Sequence, residues 1–216
     1  MGTSWQGTSV RDGGMLIDLS RLTDVRVDPD SRTASVQPGG RGRELNNLLE
    51  PHGLMFPTGH CPGVGIGGFL LQGGWGWNSR LLGPACMSVD AVEVVTAEGE
   101  LIRADATQHS DYLWAARGAG PGFFGIVTRF EIRAHPRPAA MLGSGYVYPL
   151  ALLDEVLRWP VDQMRRLEPL SKGIQLADEN LVSRPWPYLS GENERRLEAL
   201  RARHDPDGLF HSYLTA

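Results

Sequence analysis

The chain has 216 residues, with 21 Lys+Arg against 25 Asp+Glu and a formal charge of −4. That length suits one domain or two small ones, and it can bury a core without a disulfide or metal staple. A hydrophobic fraction of 41% with 21% charged residues excludes a disordered or collagen-like chain. The mildly acidic balance, without a basic tract, argues against nucleic acid or a membrane surface as the main partner.

The first third reads as short strands. Met15–Leu19 is a compact apolar run. Val25–Asp28 and Thr33–Gln37 flank Asp28-Pro29-Asp30-Ser31, which has strong turn chemistry. Arg43–Glu50 carries Leu45, Leu48 and Leu49 at helical spacing, and Pro51 is expected to stop it.

From Gly59 to Gly76 the texture changes, and eight of eighteen residues are glycine: Gly59, Gly63, Gly65, Gly67, Gly68, Gly73, Gly74 and Gly76. Glycine loses the most conformational freedom on folding, so this density points to sharp turns or close approach of backbone to something. Gly63 to Gly68 formally satisfies GxGxxG, but a dinucleotide fingerprint needs a strand before it and a helix after it. Pro57 interrupts the one, and Gly73, Gly74 and Gly76 weaken the other at about 1 kcal/mol each. A nicotinamide Rossmann site is therefore rejected in favour of a phosphate-cradling run of backbone N–H groups.

Val89–Thr96 resumes a strand pattern, and Glu98-Gly99 turns the chain to Leu101–Ala104. Ser110 and Asp111 are placed to cap a short helix through Ala116. A second glycine cluster, Gly118 to Gly125, leads into Ile126–Arg133. There Ile126, Thr128, Phe130 and Ile132 alternate with Val127, Arg129, Glu131 and Arg133. Leu150–Trp159 and Val161–Leu167 read as two helices broken by Pro160. Residues 171–189 show no clear period. Glu192–Arg203 is a charged amphipathic helix with Leu197 and Leu200 inward, and Asp205-Pro206-Asp207-Gly208 ends it in a turn.

Cys61 and Cys86 are the two cysteines. They make no disulfide framework, and no Cys/His cluster suggests a metal. The N-terminal sequence lacks the basic and apolar regions of a signal peptide, and Gln6 breaks the myristoylation pattern. No apolar run reaches the ~18 residues of a membrane span. A soluble, cytoplasmic protein is expected.

The run Gly59-His60-Cys61-Pro62-Gly63-Val64-Gly65-Ile66-Gly67-Gly68-Phe69, followed by Gln72-Gly73-Gly74-Trp75-Gly76-Trp77-Asn78-Ser79-Arg80, resembles the flavin-binding domain of berberine-bridge-enzyme-like oxidoreductases. These belong to the vanillyl-alcohol-oxidase superfamily. Arg11-Asp12-Gly13-Gly14 with Ile17–Ser20, Val36–Gly39, Ser88–Thr96, Leu113–Gly118, Gly125–Thr128 and Arg203–Phe210 extend the resemblance in order along the chain.

The resemblance implies an α+β fold of vanillyl-alcohol-oxidase type with a remnant of the substrate domain. Residues 1–138 would form the FAD-binding domain, residues 139–187 a shortened substrate-domain remnant, and residues 188–216 a segment returning to the FAD domain. It implies FAD as cofactor, held covalently through Cys61, whose thiolate has the chemistry to add to the electron-poor C6 of the flavin. Cofactor contacts would come from Gly59, His60, Cys61, Gly63, Val64, Gly65, Gly67, Gly68, Gly73, Gly74, Gly76, Trp77, Asn78, Arg80, Gly125, Ile126 and Val127. Tyr188 and Asn193 are the catalytic candidates, since the family's Tyr and Asn near this point face the flavin. His60 either tunes the cysteine or is a loop histidine, and Trp75 and Trp77 either wall a pocket or pack a core. Cys86 reads as a small buried hydrophobe.

The sequence also departs from the family. Thr3 stands where the family has its second flavin-linking histidine. The family's opening strand–helix–strand with its diphosphate-gripping loop, and most of its substrate domain, are expected to be missing. The implied activity is oxidation of a small organic substrate by hydride transfer to flavin N5, with molecular oxygen as acceptor. The alternative is a catalytically impaired flavin-binding remnant, or a subunit acting as a homo-oligomer or with a complementing chain.

Overall fold

The computed structural model describes residues 13–76, 78–140, 145–167, 169, 187 and 189–211. Five strands form one antiparallel sheet. They are β1 (Val25–Asp28), β2 (Thr33–Val36), β4 (Val89–Val95), β5 (Leu101–Ala104) and β6 (Ile126–Arg133), in the spatial order β1-β2-β6-β4-β5. A two-stranded ribbon pairs β3 (Leu54–Met55) with β7 (His135–Pro136). The helices are α1 (Gly42–Leu49), α2 (Ile66–Leu71), α3 (Ser79–Leu82), α4 (Ser110–Ala116), α5 (Leu153–Leu167) and α6 (Gly191–His204).

The core lies on the inner face of the sheet. Val36, Val92, Val94, Phe130 and Ile132 from the strands meet Leu45 and Leu49 of α1, Leu70 of α2, Leu113 of α4 and Leu197 of α6. The amphipathic spacing of α1 turns Leu45 and Leu49 inward and leaves Leu48 exposed. The loop before α1 locks onto the glycine run. The Gly67 and Ile66 amides donate to the Pro38 and Gly40 carbonyls at 3.0 and 2.8 Å, and the Gly42 amide donates to Val64 O at 3.2 Å.

The alternation in β6 does not run straight through. Glu93 opposes Arg129 while Val94 opposes Val127, so Thr128 is an extra residue, a β-bulge whose hydroxyl reaches Glu93 O at 3.4 Å. The bulge changes the phase: Val127 joins Phe130 and Ile132 in the core, and Ile126 and Thr128 are only half-buried. A second shift leaves Asp90 unpaired on β4, where its carboxylate takes the Arg133 guanidinium at 2.9 Å.

Three local expectations are corrected. Met15–Leu19 is not a strand; Met15, Leu16 and Ile17 are exposed and pair with no strand of the sheet. Neither Ser110 nor Asp111 caps α4; His109 holds the N-cap position in left-handed backbone, without a side-chain cap. Pro160 does not divide Leu153–Leu167, which is one helix with the proline inside it. Proline removes only one intrahelical N–H, and the flanking apolar residues Leu153, Leu157 and Val161 keep one helical phase across it.

Among the described residues, no helix is long and apolar enough to cross a membrane, and no group of three His, Cys, Asp or Glu side chains gathers as metal ligands.

Candidate flavin site

Six of the eight glycines of residues 59–76 fall into two physical classes. A Cβ on Gly76 would stand 2.1 Å from the Thr58 carbonyl oxygen, one on Gly67 2.6 Å from Pro38 Cβ, and one on Gly74 2.8 Å from Ala85 Cβ. These three let the chain pack against itself. A Cβ on Gly63 or Gly68 would meet nothing within 4 Å, and on Gly65 only Pro38 O at 3.5 Å. That side of the run faces open space. Gly59 lies between, in ordinary contact with Phe69 and Val64. Gly73 and Gly74 both take positive φ, 95° and 73°, and their carbonyls accept the amides of Cys86 and Ala85 at 3.1 and 2.9 Å. This pairing buries Cys86, whose thiol donates to Arg117 O at 3.4 Å and is pushed up by burial. It is a structural cysteine.

Cys61 is different. It sits in an exposed turn closed by the Val64 amide on Cys61 O at 3.2 Å, with His60, Pro62 and Gly63 exposed around it. The turn runs directly into α2, and the bridge between Arg41 and Gly65 fastens its end. The Val64, Ile66 and Gly67 amides are already engaged by chain carbonyls. The run is therefore a braced platform that displays a thiol, and those three amides are not a phosphate cradle.

Asn78 takes left-handed backbone at φ 65° and donates to Met55 Sδ at 3.8 Å, while Arg80 on α3 is exposed. Trp75 is half exposed and so is not core. Gly125 is needed inside, since a Cβ there would meet Val94 Cγ1 at 2.6 Å. Val127 points into the core, so only its backbone remains for a ligand. On β6, β2 reaches only Phe130–Arg133, so among the described residues no strand pairs with the β2-facing edge of Ile126 and Val127. Asn193 is exposed in the first turn of α6, its amide donating to the Ser190 cap at 3.3 Å. Trp77, Tyr188, Thr3 and Arg11-Asp12 lie outside the described residues.

A cavity of about 180 Å³ lined by Asn46, Met55, Thr58 and Arg137 contains none of the sequence-predicted residues. It falls below the ~300 Å³ at which small-molecule pockets begin.

The structure also shows a feature that periodicity missed. Arg201 and Asp205 are buried together at 3.5 Å. Arg201 donates to the Gly122 carbonyl at 2.9 Å and to Phe210 O, fastening α6 to the 3-10 turn Gly120–Gly122 just before β6. The signal was the Arg-x-x-x-Asp spacing at a helix end that enters an Asp-Pro-Asp-Gly turn.

FAD fits this surface on two observations: an exposed thiol, and glycines at 63 and 68, where an added Cβ would meet open space.

Comparison with known proteins agrees. Residues 1–105 match the FAD binding domain family. The FAD-linked oxidoreductase penO of Penicillium crustosum is 42% identical over 220 residues, covering 98% of this chain and 49% of its own length. The BBE-like 1 structure from Physcomitrella patens aligns with TM-score 0.54 at 35% identity, over 58% of this chain and 27% of that one. The glucooligosaccharide oxidase of Acremonium strictum, a 6-S-cysteinyl, 8α-N1-histidyl FAD protein, aligns with TM-score 0.54 at 32% identity, over 57% of this chain and 26% of that one. The chain spans about half the length of the curated relative it matches over most of its residues. It carries an FAD binding domain of the vanillyl-alcohol-oxidase type, its curated relatives are FAD-linked oxidoreductases, and a BBE-like protein is among its structural neighbours.

Proposed function

We propose that this chain is the flavin-binding part of an FAD-dependent oxidoreductase that oxidises a small organic substrate, with FAD held through Cys61. The observation that carries the reading is the exposed Cys61 thiol on a braced, glycine-edged turn. When bound, FAD supplies two-electron chemistry, accepting a hydride at N5 and giving electrons to an acceptor such as molecular oxygen. The chain supplies position. The Pro38–Gly40 carbonyls hold the turn from behind, Gly63 and Gly68 keep side chains out of the way, and Cys61 fixes the ring edge. Backbone at Ile126 and Val127 offers polar contacts at an edge that no described strand pairs with.

The proton acceptor for the substrate lies beyond what the described side chains supply. Asn193 does not titrate, so its part would be to hydrogen-bond and orient. The exposed apolar face of α5 favours a second reading, in which the chain binds flavin but needs another chain for turnover.

The test is an absorbance spectrum of purified protein, then of the acid-precipitated pellet. Flavin bands that stay with the pellet support attachment. A colourless protein that takes up no added FAD overturns the proposal.

A further inference from the structure

We infer that α5 is a homotypic docking helix, pairing antiparallel with α5 of a second copy of this chain about a two-fold axis near Pro160. The inference is independent of the flavin reading. Every described side chain of α5 is exposed or half-buried, including Leu153, Leu157, Trp159 and Val161. Leu153, Val156, Leu157, Pro160 and Val161 follow the i, i+3, i+4, i+7, i+8 spacing of an apolar stripe. The exposed residues Val147 and Leu150 extend it N-terminally. Contiguous apolar surface of this kind marks an interaction site.

Charge selects the occupant. The first turn of α5 is acidic, with Asp154 and Glu155, and the last is basic, with Arg165 and Arg166. A parallel self-pair would set like charges together. An antiparallel pair sets the acidic end of each copy against the basic end of the other, which is the self-complementarity a two-fold contact requires. The register is specific: Asp154, Arg158, Val161 and Arg165 run down one flank of the stripe at spacings of four, three and four. In an antiparallel pair that flank meets its own copy, so Asp154 faces Arg165 twice, with the axis beside Pro160. The exposed contact of Arg165 with Asp162, at 3.4 Å, is weak competition. A lipid surface is disfavoured, because interfacial helices concentrate Lys and Arg on the polar face, whereas here three acids balance three arginines. Apolar burial would supply the affinity and the charge pattern the direction.

Sedimentation velocity on the full chain, from about 1 to about 100 µM, tests this. Wild type should move from monomer to dimer. Leu157→Glu should abolish the dimer without changing the circular dichroism spectrum, because Leu157 is 58% exposed. Asp154→Arg or Arg165→Asp alone should weaken dimerisation about tenfold, two like-charge contacts arising from each change. The double variant should recover wild-type affinity. A chain monomeric at the top concentration, a dimer indifferent to Leu157→Glu, or a double variant no better than its parents overturns the inference. The first of these results would leave the apolar face to other chain or another protein.

Discussion

The Asp205 carboxylate lies 3.5 Å from the Arg201 guanidinium, one turn back along α6, and the two side chains are 0% and 9% exposed. Asp205 also accepts the amides of Leu209 at 2.7 Å and Phe210 at 3.0 Å, while Arg201 holds the Gly122 carbonyl. Together they tie the C-terminal helix to the entrance of β6. Removing one member of a buried pair leaves the other charged and uncompensated, at a cost of about 3–5 kcal/mol. Asp205→Ala should therefore lower stability by about that amount in urea denaturation. A loss below about 1 kcal/mol would mean that water enters and the clamp is an ordinary surface ion pair.

The two classes of glycine predict opposite results for one substitution. Gly76→Ala puts a methyl 2.1 Å from a backbone carbonyl and Gly67→Ala one 2.6 Å from Pro38, so both should fail to give soluble folded protein or should lose several kcal/mol. Gly68→Ala meets nothing within 4 Å and lies inside α2, so it should raise stability by about 0.5–1 kcal/mol. Thermal melts of the three variants decide it. If FAD binding is lost in Gly68→Ala while the fold is kept, the open side of the run is the ligand side.

Much of this division was illegible in the sequence. Glycine density announced that backbone comes close to something, but the partners of Gly67, Gly74 and Gly76 are Pro38, Ala85 and Thr58, brought there by tertiary folding. β5 and β6 were read with their observed bounds because alternation is a local property. The inward phase at Val127 was not, because a bulge is set by the register of the neighbouring strand. The β3–β7 ribbon is two residues long and contains Pro136, too short for any period to show. The motif singles out Cys61, and the structure adds the exposure that separates it from the buried Cys86.

Cys61→Ala should leave the fold unchanged, since the side chain is exposed and the turn is closed by backbone. It should abolish flavin absorbance in the acid-precipitated pellet, with any remaining flavin in the supernatant. Cys86→Ala is the control. It should retain pellet flavin while losing stability, because Cys86 is buried and bonded to Arg117 O. Pellet flavin persisting in Cys61→Ala would remove Cys61 from the site.

His204 and His135 both favour the folded chain at neutral over mildly acidic pH. The His204 ring stacks on Phe124 at 5.4 Å and 8°, tilts against Tyr112 at 4.7 Å, and buries Nε2 without a hydrogen-bond partner. Burial, then Arg203, depresses its pKa below the ordinary 6.5, against the opposing pull of Asp111 and Glu98. His135, bonded to Ser88 at 2.8 Å, is lowered by burial and then by Arg133. Both imidazoles are favoured neutral in the folded chain. The unfolded chain therefore binds more protons as pH falls below about 6.5, and stability drops from there toward the lower native values. The carboxylates lowered by hydrogen bonds, Asp18, Asp28, Glu98 and Asp105, titrate at more acidic pH and leave this window to histidine. His204→Phe keeps an aromatic ring against Phe124 and removes the titrating group. Urea denaturation between about pH 5 and 8 should show a shallower acid-side slope for this variant than for wild type, with the remainder owed to His135. An unchanged slope would place the acid sensitivity outside the α6 interface.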